Sequence, residues 1–61
     1  MAIIDVYRYK VFSNEHGSFV DTTVPVYTTL EKIRRIGAES IVSSLLRIDE
    51  SKLNDQGFYH P

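Results

Sequence analysis

Few residues in this chain are of the kinds that do chemistry, and their spacing limits what each can do. Glu15 and His16 stand side by side in "SNEHG", Ser13 to Gly17, residue types that serve elsewhere as an acid/base couple or as metal ligands. Adjacent residues in a turn seldom converge on one ion, and no third ligand lies near, so the pair reads as the exposed tip of a turn. There is no cysteine, which excludes disulfides and thiolate metal sites and suits a reducing, cytoplasmic setting. The serines and the two histidines offer no spacing that assembles nucleophile, base and orienting group. Neither an enzyme nor a cofactor is expected.

Two sets of cations remain. Arg34 and Arg35 adjoin in "TTLEKIRRIGAE", Thr28 to Glu39, and raise the question of a nucleic-acid contact. At 100° per residue Arg35 and Glu31 point away from the stripe of Leu30, Ile33 and Ile36, while Lys32 and Arg34 flank it on opposite sides. Glu31 and Arg35 stand in the favourable i, i+4 order, so the outward cation is half-neutralised and the others splay apart. A groove-reading helix needs several adjacent side chains on one side. This one reads as a solvated, salt-bridged face. The second set, Arg8 and Lys10, alternates along "IIDVYRYKVF" (Ile3 to Phe12) with Val6 and Phe12 on the same strand face.

Those side chains must be positioned by a β-hairpin. "IIDVYRYKVF" and "SFVDTTVPVYT" (Ser18 to Thr28) are rich in β-branched and aromatic residues and are separated by a polar, glycine-ended loop. Gly17 supplies the positive φ the loop needs, and Asn14 is expected to cap it through its side chain. Burying Arg8 or Lys10 unpaired would cost several kcal/mol, whereas tyrosines pack their rings and lead the hydroxyl outward. The core face is therefore assigned to Tyr7, Tyr9 and Val11, joined by Val20, Thr22, Val24 and Val26 of the second strand. Pro25 cannot donate to a ladder, which places that strand at an edge or gives it a bulge.

Thr28 and Glu31 have the spacing of a capping box and open a helix of about two turns, which Gly37 ends. The stretch 40–48 fits a strand or an amphipathic helix. A strand is preferred, because Gly37 has just ended a helix and a two-stranded hairpin needs a third strand for independent stability. Asp49 or Ser51 can cap a further helical turn, "NDQG" (Asn54 to Gly57) is another polar turn, and Phe58 and Tyr59 are expected to anchor the end of the chain on the sheet or helix.

The expected architecture is α+β: one domain over 1–61, ββαβ, with a small three-stranded antiparallel sheet of order 2-1-3 and the helix on one face. At 61 residues the chain buries only about 60% of the surface its unfolded form exposes, so its stability is marginal. "TLEKIRRIGAESI" (Thr29 to Ile41) together with "IDESKLNDQGFY" (Ile48 to Tyr59) resembles short bacterial or prophage-borne proteins whose ends read acidic-Ser-x-Leu, turn, Gly, aromatic. The resemblance covers about half the chain and implies no activity or ligand.

The net charge of −1 supplies no field that would draw nucleic acid. The N-terminus meets charge too early for an export signal, and no run approaches the ~20 apolar residues of a membrane span, so no membrane partner is expected. What remains is the sheet face opposite the helix, carrying Val6, Arg8, Lys10, Phe12, Phe19 and Tyr27 together with Ile4. An exposed apolar patch of this kind marks an interaction surface. The expectation is a small interaction or regulatory module that binds a protein partner or a second copy of itself, as a symmetric dimer, through that face or a sheet edge. The alternative is single-stranded nucleic acid, with bases stacked on the aromatics and phosphate on Arg8 and Lys10.

Overall fold

The computed structural model describes residues 2–61, and its organising element is one long strand, β1 (Ile3–Ser13). Eleven residues at about 3.4 Å each account for most of the long dimension of a molecule measuring 41 × 23 × 19 Å. Every other strand is short: β2 (Ser18–Asp21), β3 (Tyr27–Thr28), β4 (Glu39–Ser40), β5 (Leu46–Asp49) and β6 (Phe58–Tyr59). β2, β3, β4 and β5 each pair antiparallel with β1, and β6 pairs antiparallel with β3.

The fold is therefore α+β with one α-helix, but the expected three-stranded 2-1-3 sheet is corrected to six strands: two local breaks divide the second and third expected strands, and the terminal aromatics add β6. The first break lies at Pro25. Residues 22–26 leave the ladder between β2 and β3, and Thr22 closes this excursion by donating its hydroxyl to the Val24 carbonyl at 2.8 Å. Val24, assigned to the core from its alternation with Val20 and Val26, is 58% exposed as a result. The second break lies in 40–48, where a 3₁₀ turn (Val42–Ser44) separates β4 from β5. Strand wins over helix on either side of it. At the gap the Ile41 N–H still reaches the Arg8 carbonyl at 2.9 Å, and the Arg8 N–H donates to Ser44 Oγ at 2.8 Å. A serine hydroxyl thus replaces the missing ladder carbonyl and leaves no orphaned backbone donor.

The edges of β1 follow from the same bonds. Lys10 faces Asp21 of β2 on one side and Glu39 of β4 on the other. Both backbone groups of Arg8 are taken by residues 41–44, so Tyr27, which also faces Arg8, lies across the opposite edge. β2 and β3 accordingly share one edge of β1, and β4 and β5 the other.

Helix α1 (Leu30–Arg35) starts one residue later than its capping-box spacing suggests. Thr28 is fully buried in β3, where its hydroxyl donates to the Gly57 carbonyl at 2.7 Å. The cap is Thr29, whose Oγ1 accepts from the Lys32 N–H at 3.3 Å, and Glu31 pairs with Arg35 at 2.9 Å instead of reaching back. At the other end the Gly37 N–H bonds the Arg34 carbonyl and the Ala38 N–H bonds the Ile33 carbonyl, with Gly37 at φ 74°. This is a Schellman closure, which requires a left-handed residue at that position. Of the apolar stripe only Ile33 is buried, at 1% exposure; Leu30 and Ile36 border solvent because a helix of six residues meets the sheet over little more than one turn.

The hairpin turn is closed by Ser13, not by Asn14. The Gly17 N–H bonds the Ser13 carbonyl at 2.8 Å, and Ser13 Oγ accepts the His16 N–H at 3.3 Å. The second turn falls at Asn54 to Gly57 as expected, and Asn54 closes it: its Oδ1 accepts from the N–H of Gln56 and of Phe58, at 2.9 and 3.0 Å. Asp49 caps the intervening 3₁₀ turn (Glu50–Lys52) by accepting the Ser51 N–H. Phe58 and Tyr59 are anchored: Phe58 packs against Tyr9 with centroids 6.2 Å apart, and Tyr59 against Tyr27 at 5.9 Å.

Buried residues occur on both sheet faces. Tyr9 and Thr28 lie beneath the helix with Ile33, while Val11, expected beside them, is exposed. Val6, assigned to the outer face, is 0% exposed: Leu46 stands opposite it in β5, and the 42–44 turn packs against β1. The core is thus two small clusters joined through β1.

Candidate functional site

The face of the sheet away from α1 gathers the residues singled out from the sequence. Strand alternation puts Val6, Arg8, Lys10 and Phe12 on it, and cross-strand pairing adds Phe19 opposite Phe12 and Tyr27 opposite Arg8. Tyr59, opposite Tyr27 in β6, joins them and was not included in the sequence reading. Its signal was available, since a terminal aromatic pair in a strand must send one ring to each face.

The six residues do not form one uniform surface. Phe12 and Phe19 are 55% and 38% exposed and meet edge to face, with centroids 5.5 Å apart and an interplanar angle of 80°. They stand next to the hairpin turn, where β1 has only β2 beside it. Tyr27 and Tyr59 form a second, half-buried pair at 5.9 Å. Val6 belongs to the interior and offers no surface to a partner.

Of the two cations, Arg8 is held from within. Arg8 Nη2 donates to Asp21 Oδ1 at 2.8 Å and approaches the Thr22 carbonyl at 3.5 Å, while its buried Nε has no protein partner. Lys10 has Asp21 and Glu39 as its lateral neighbours on the two edges of β1. Two acidic residues thus accompany two basic ones on this face, and a phosphate approaching Arg8 would compete with the Asp21 carboxylate already bound to it.

Elsewhere, the Ser13 hydroxyl lies 3.1 Å from His16 Nδ1. The pair is exposed and no third group orients the imidazole; the same hydroxyl oxygen accepts the His16 backbone N–H, so the contact belongs to the turn. Glu15 is exposed beside it. Among the described residues no three His, Cys, Asp or Glu side chains stand together so as to hold a metal ion. An open cleft of ≈ 350 Å³ lies between α1 and the 53–57 turn, lined by Thr29, Glu31, Lys32, Arg35, Asp55 and Gln56 among others. Lys32 Nζ sits 5.5 Å from the Phe58 ring centroid and Arg35 is bound to Glu31, so both cations at the cleft already have partners. Beneath the helix, burial raises the pKa of the Tyr9 hydroxyl above its ordinary value of 10.0.

Compared with known proteins, the chain matches no family model, no curated protein and no solved structure. No helix among the described residues is long and apolar enough to cross a membrane.

Proposed function

We propose that this chain is a small, non-enzymatic interaction module whose working surface is the sheet face opposite α1, centred on Phe12 and Phe19, and whose ligand is a protein. The observation that carries this reading is the exposed edge-to-face pair itself. Two large rings standing in water beside a turn, in a chain too small to cover them, are the kind of aromatic anchor that dominates protein interfaces. Arg8 and Lys10, balanced by Asp21 and Glu39, supply a polar rim.

Single-stranded nucleic acid is the competing ligand, since the same rings could stack bases. The internal pairing of Arg8 with Asp21 weighs against it. The test compares the wild type with the double variant F12S/F19S, in capture from a lysate of the native host and in titration with single-stranded oligonucleotides at low and high salt. The expected result is a protein retained by the wild type and lost by the variant, whose stability falls by about 2–3 kcal/mol and whose folded state is checked by circular dichroism at the capture temperature. Equal capture by both forms would remove the face from consideration. Oligonucleotide binding that weakens as salt rises would replace the protein ligand with nucleic acid.

A further inference from the structure

The outer edge of β5 carries information that the aromatic face does not. Arg8 of β1 and Ala2, the residue just before that strand, turn backbone groups toward the edge shared by β4 and β5: Ile41 donates to the Arg8 carbonyl at 2.9 Å and Glu50 to the Ala2 carbonyl at 2.8 Å. Strand alternation places the backbone groups of Ile4 and Val6 on that edge too, so their partners Ile48 and Leu46 face inward to β1. Arg47 and Asp49 therefore point their N–H and C=O groups outward. Among the described residues β5 pairs with β1 alone, and its outer side is an open sheet edge.

We propose that two copies of the chain pair antiparallel through β5 about a twofold axis at Ile48, joining their sheets into one. Only registers that set outward-facing residues opposite one another can form the ladder. Shifting the axis to Arg47 brings arginine against its own copy, and shifting it to Asp49 does the same with aspartate. The axis at Ile48 alone sets Arg47 opposite Asp49 of the second copy, twice by symmetry, with Ile48 against Ile48 between them.

The side chains are ready for this. Arg47 is held through Nε to Asp5 Oδ1 at 3.2 Å, which leaves its two terminal nitrogens for the facing aspartate. Asp49 uses Oδ1 on the Ser51 N–H and keeps its second oxygen. A charge row Asp5, Arg47, Asp49 would then cross the interface in both directions. The other open edges lack this match: self-pairing of β2 about Val20 sets Phe19 against Asp21, β4 offers only Glu39 and Ser40, and β6 only Phe58 and Tyr59. About four backbone hydrogen bonds and two ion pairs on a four-residue strand make a weak dimer, formed toward the upper end of a micromolar-to-millimolar range.

Phe12 and Phe19 take no part in this contact, so it stands or falls separately from the proposed partner surface. The test is amide hydrogen exchange on the full chain from about 10 μM to about 1 mM, beside sedimentation over the same range. The expected result is a dimer in which exchange at Arg47 and Asp49 slows about twofold between the two ends of that range, as a weak dimer requires, while Phe19 and Asp21 are unchanged. R47D and D49R should each weaken association about tenfold, and R47D/D49R should restore it, because the exchanged charges face each other again. If a single variant fails to fold, protection in the wild type decides. A monomer throughout, association without protection at Arg47 and Asp49, or loss of the dimer in F19S would each overturn the proposal.

Discussion

Ile33 and Arg35 are two positions apart on α1 and have opposite fates. Ile33 is enclosed, so I33A should cost about 2–5 kcal/mol through lost burial and the cavity left behind, enough to unfold much of a domain this small. Arg35 reaches only Glu31 across an exposed turn, and R35A should stay within about 0.5 kcal/mol. Thermal melts of the two variants check the pair; equal midpoints would mean that the helix is in another phase. Tyr9 adds a pH dependence. Because burial raises its folded-state pKa, the unfolded chain ionises first as pH climbs, so the hydroxyl's contribution is complete below about pH 10 and is lost as pH rises through the higher folded value. Y9F keeps the ring against Phe58 and should flatten the alkaline decline, measured by denaturant unfolding between neutral pH and pH 11 or so.

At the scale of elements, the short strands depend on side chains that finish what the backbone cannot. Ser44 bridges the gap between β4 and β5, and Asn54 folds the last turn so that β6 can reach β3. N54A removes the acceptor for two N–H groups and should cost about 1–2 kcal/mol. The loss should be local. Amide exchange in β6 should accelerate while that in β5 stays close to wild type, and a uniform acceleration would show that β6 is coupled to the whole sheet.

Over the whole molecule, β1 is both scaffold and weakness. Nearly every long-range pairing uses it, and its two faces hold separate small clusters around Val6 and around Tyr9, Thr28 and Ile33. Neither cluster is large enough to spare a residue for binding, which is why Val6 leaves the proposed surface while Phe12 and Phe19 remain. Those rings are exposed because α1 packs on the other face and because β1 runs past the end of β4, leaving only β2 beside Phe12. The same elongation leaves the β5 edge open at the opposite end, so the two proposed contacts can be occupied together.

Local chemistry was legible in the sequence wherever a residue acts on its near neighbours. Gly17 in the hairpin loop, Gly37 closing the helix, the Glu31 and Arg35 pair, Asp49 and Asn54 as turn acceptors, and the anchoring aromatics Phe58 and Tyr59 all rest on contacts a few residues long or on plain hydrophobic bias. The alternation that put Arg8, Lys10, Phe12 and Phe19 on one face is likewise a backbone property. Tertiary structure decided the rest. Thr28 lost the helix cap to Thr29 because it is buried in β3 with its hydroxyl given to the Gly57 carbonyl, and only the fold brings Gly57 beside it. Val24 and Val26 have the same alternation, yet the excursion at Pro25 turned Val24 to solvent. Val6 was buried by Leu46 and the 42–44 turn, forty residues away in sequence, a distance over which periodicity carries no information.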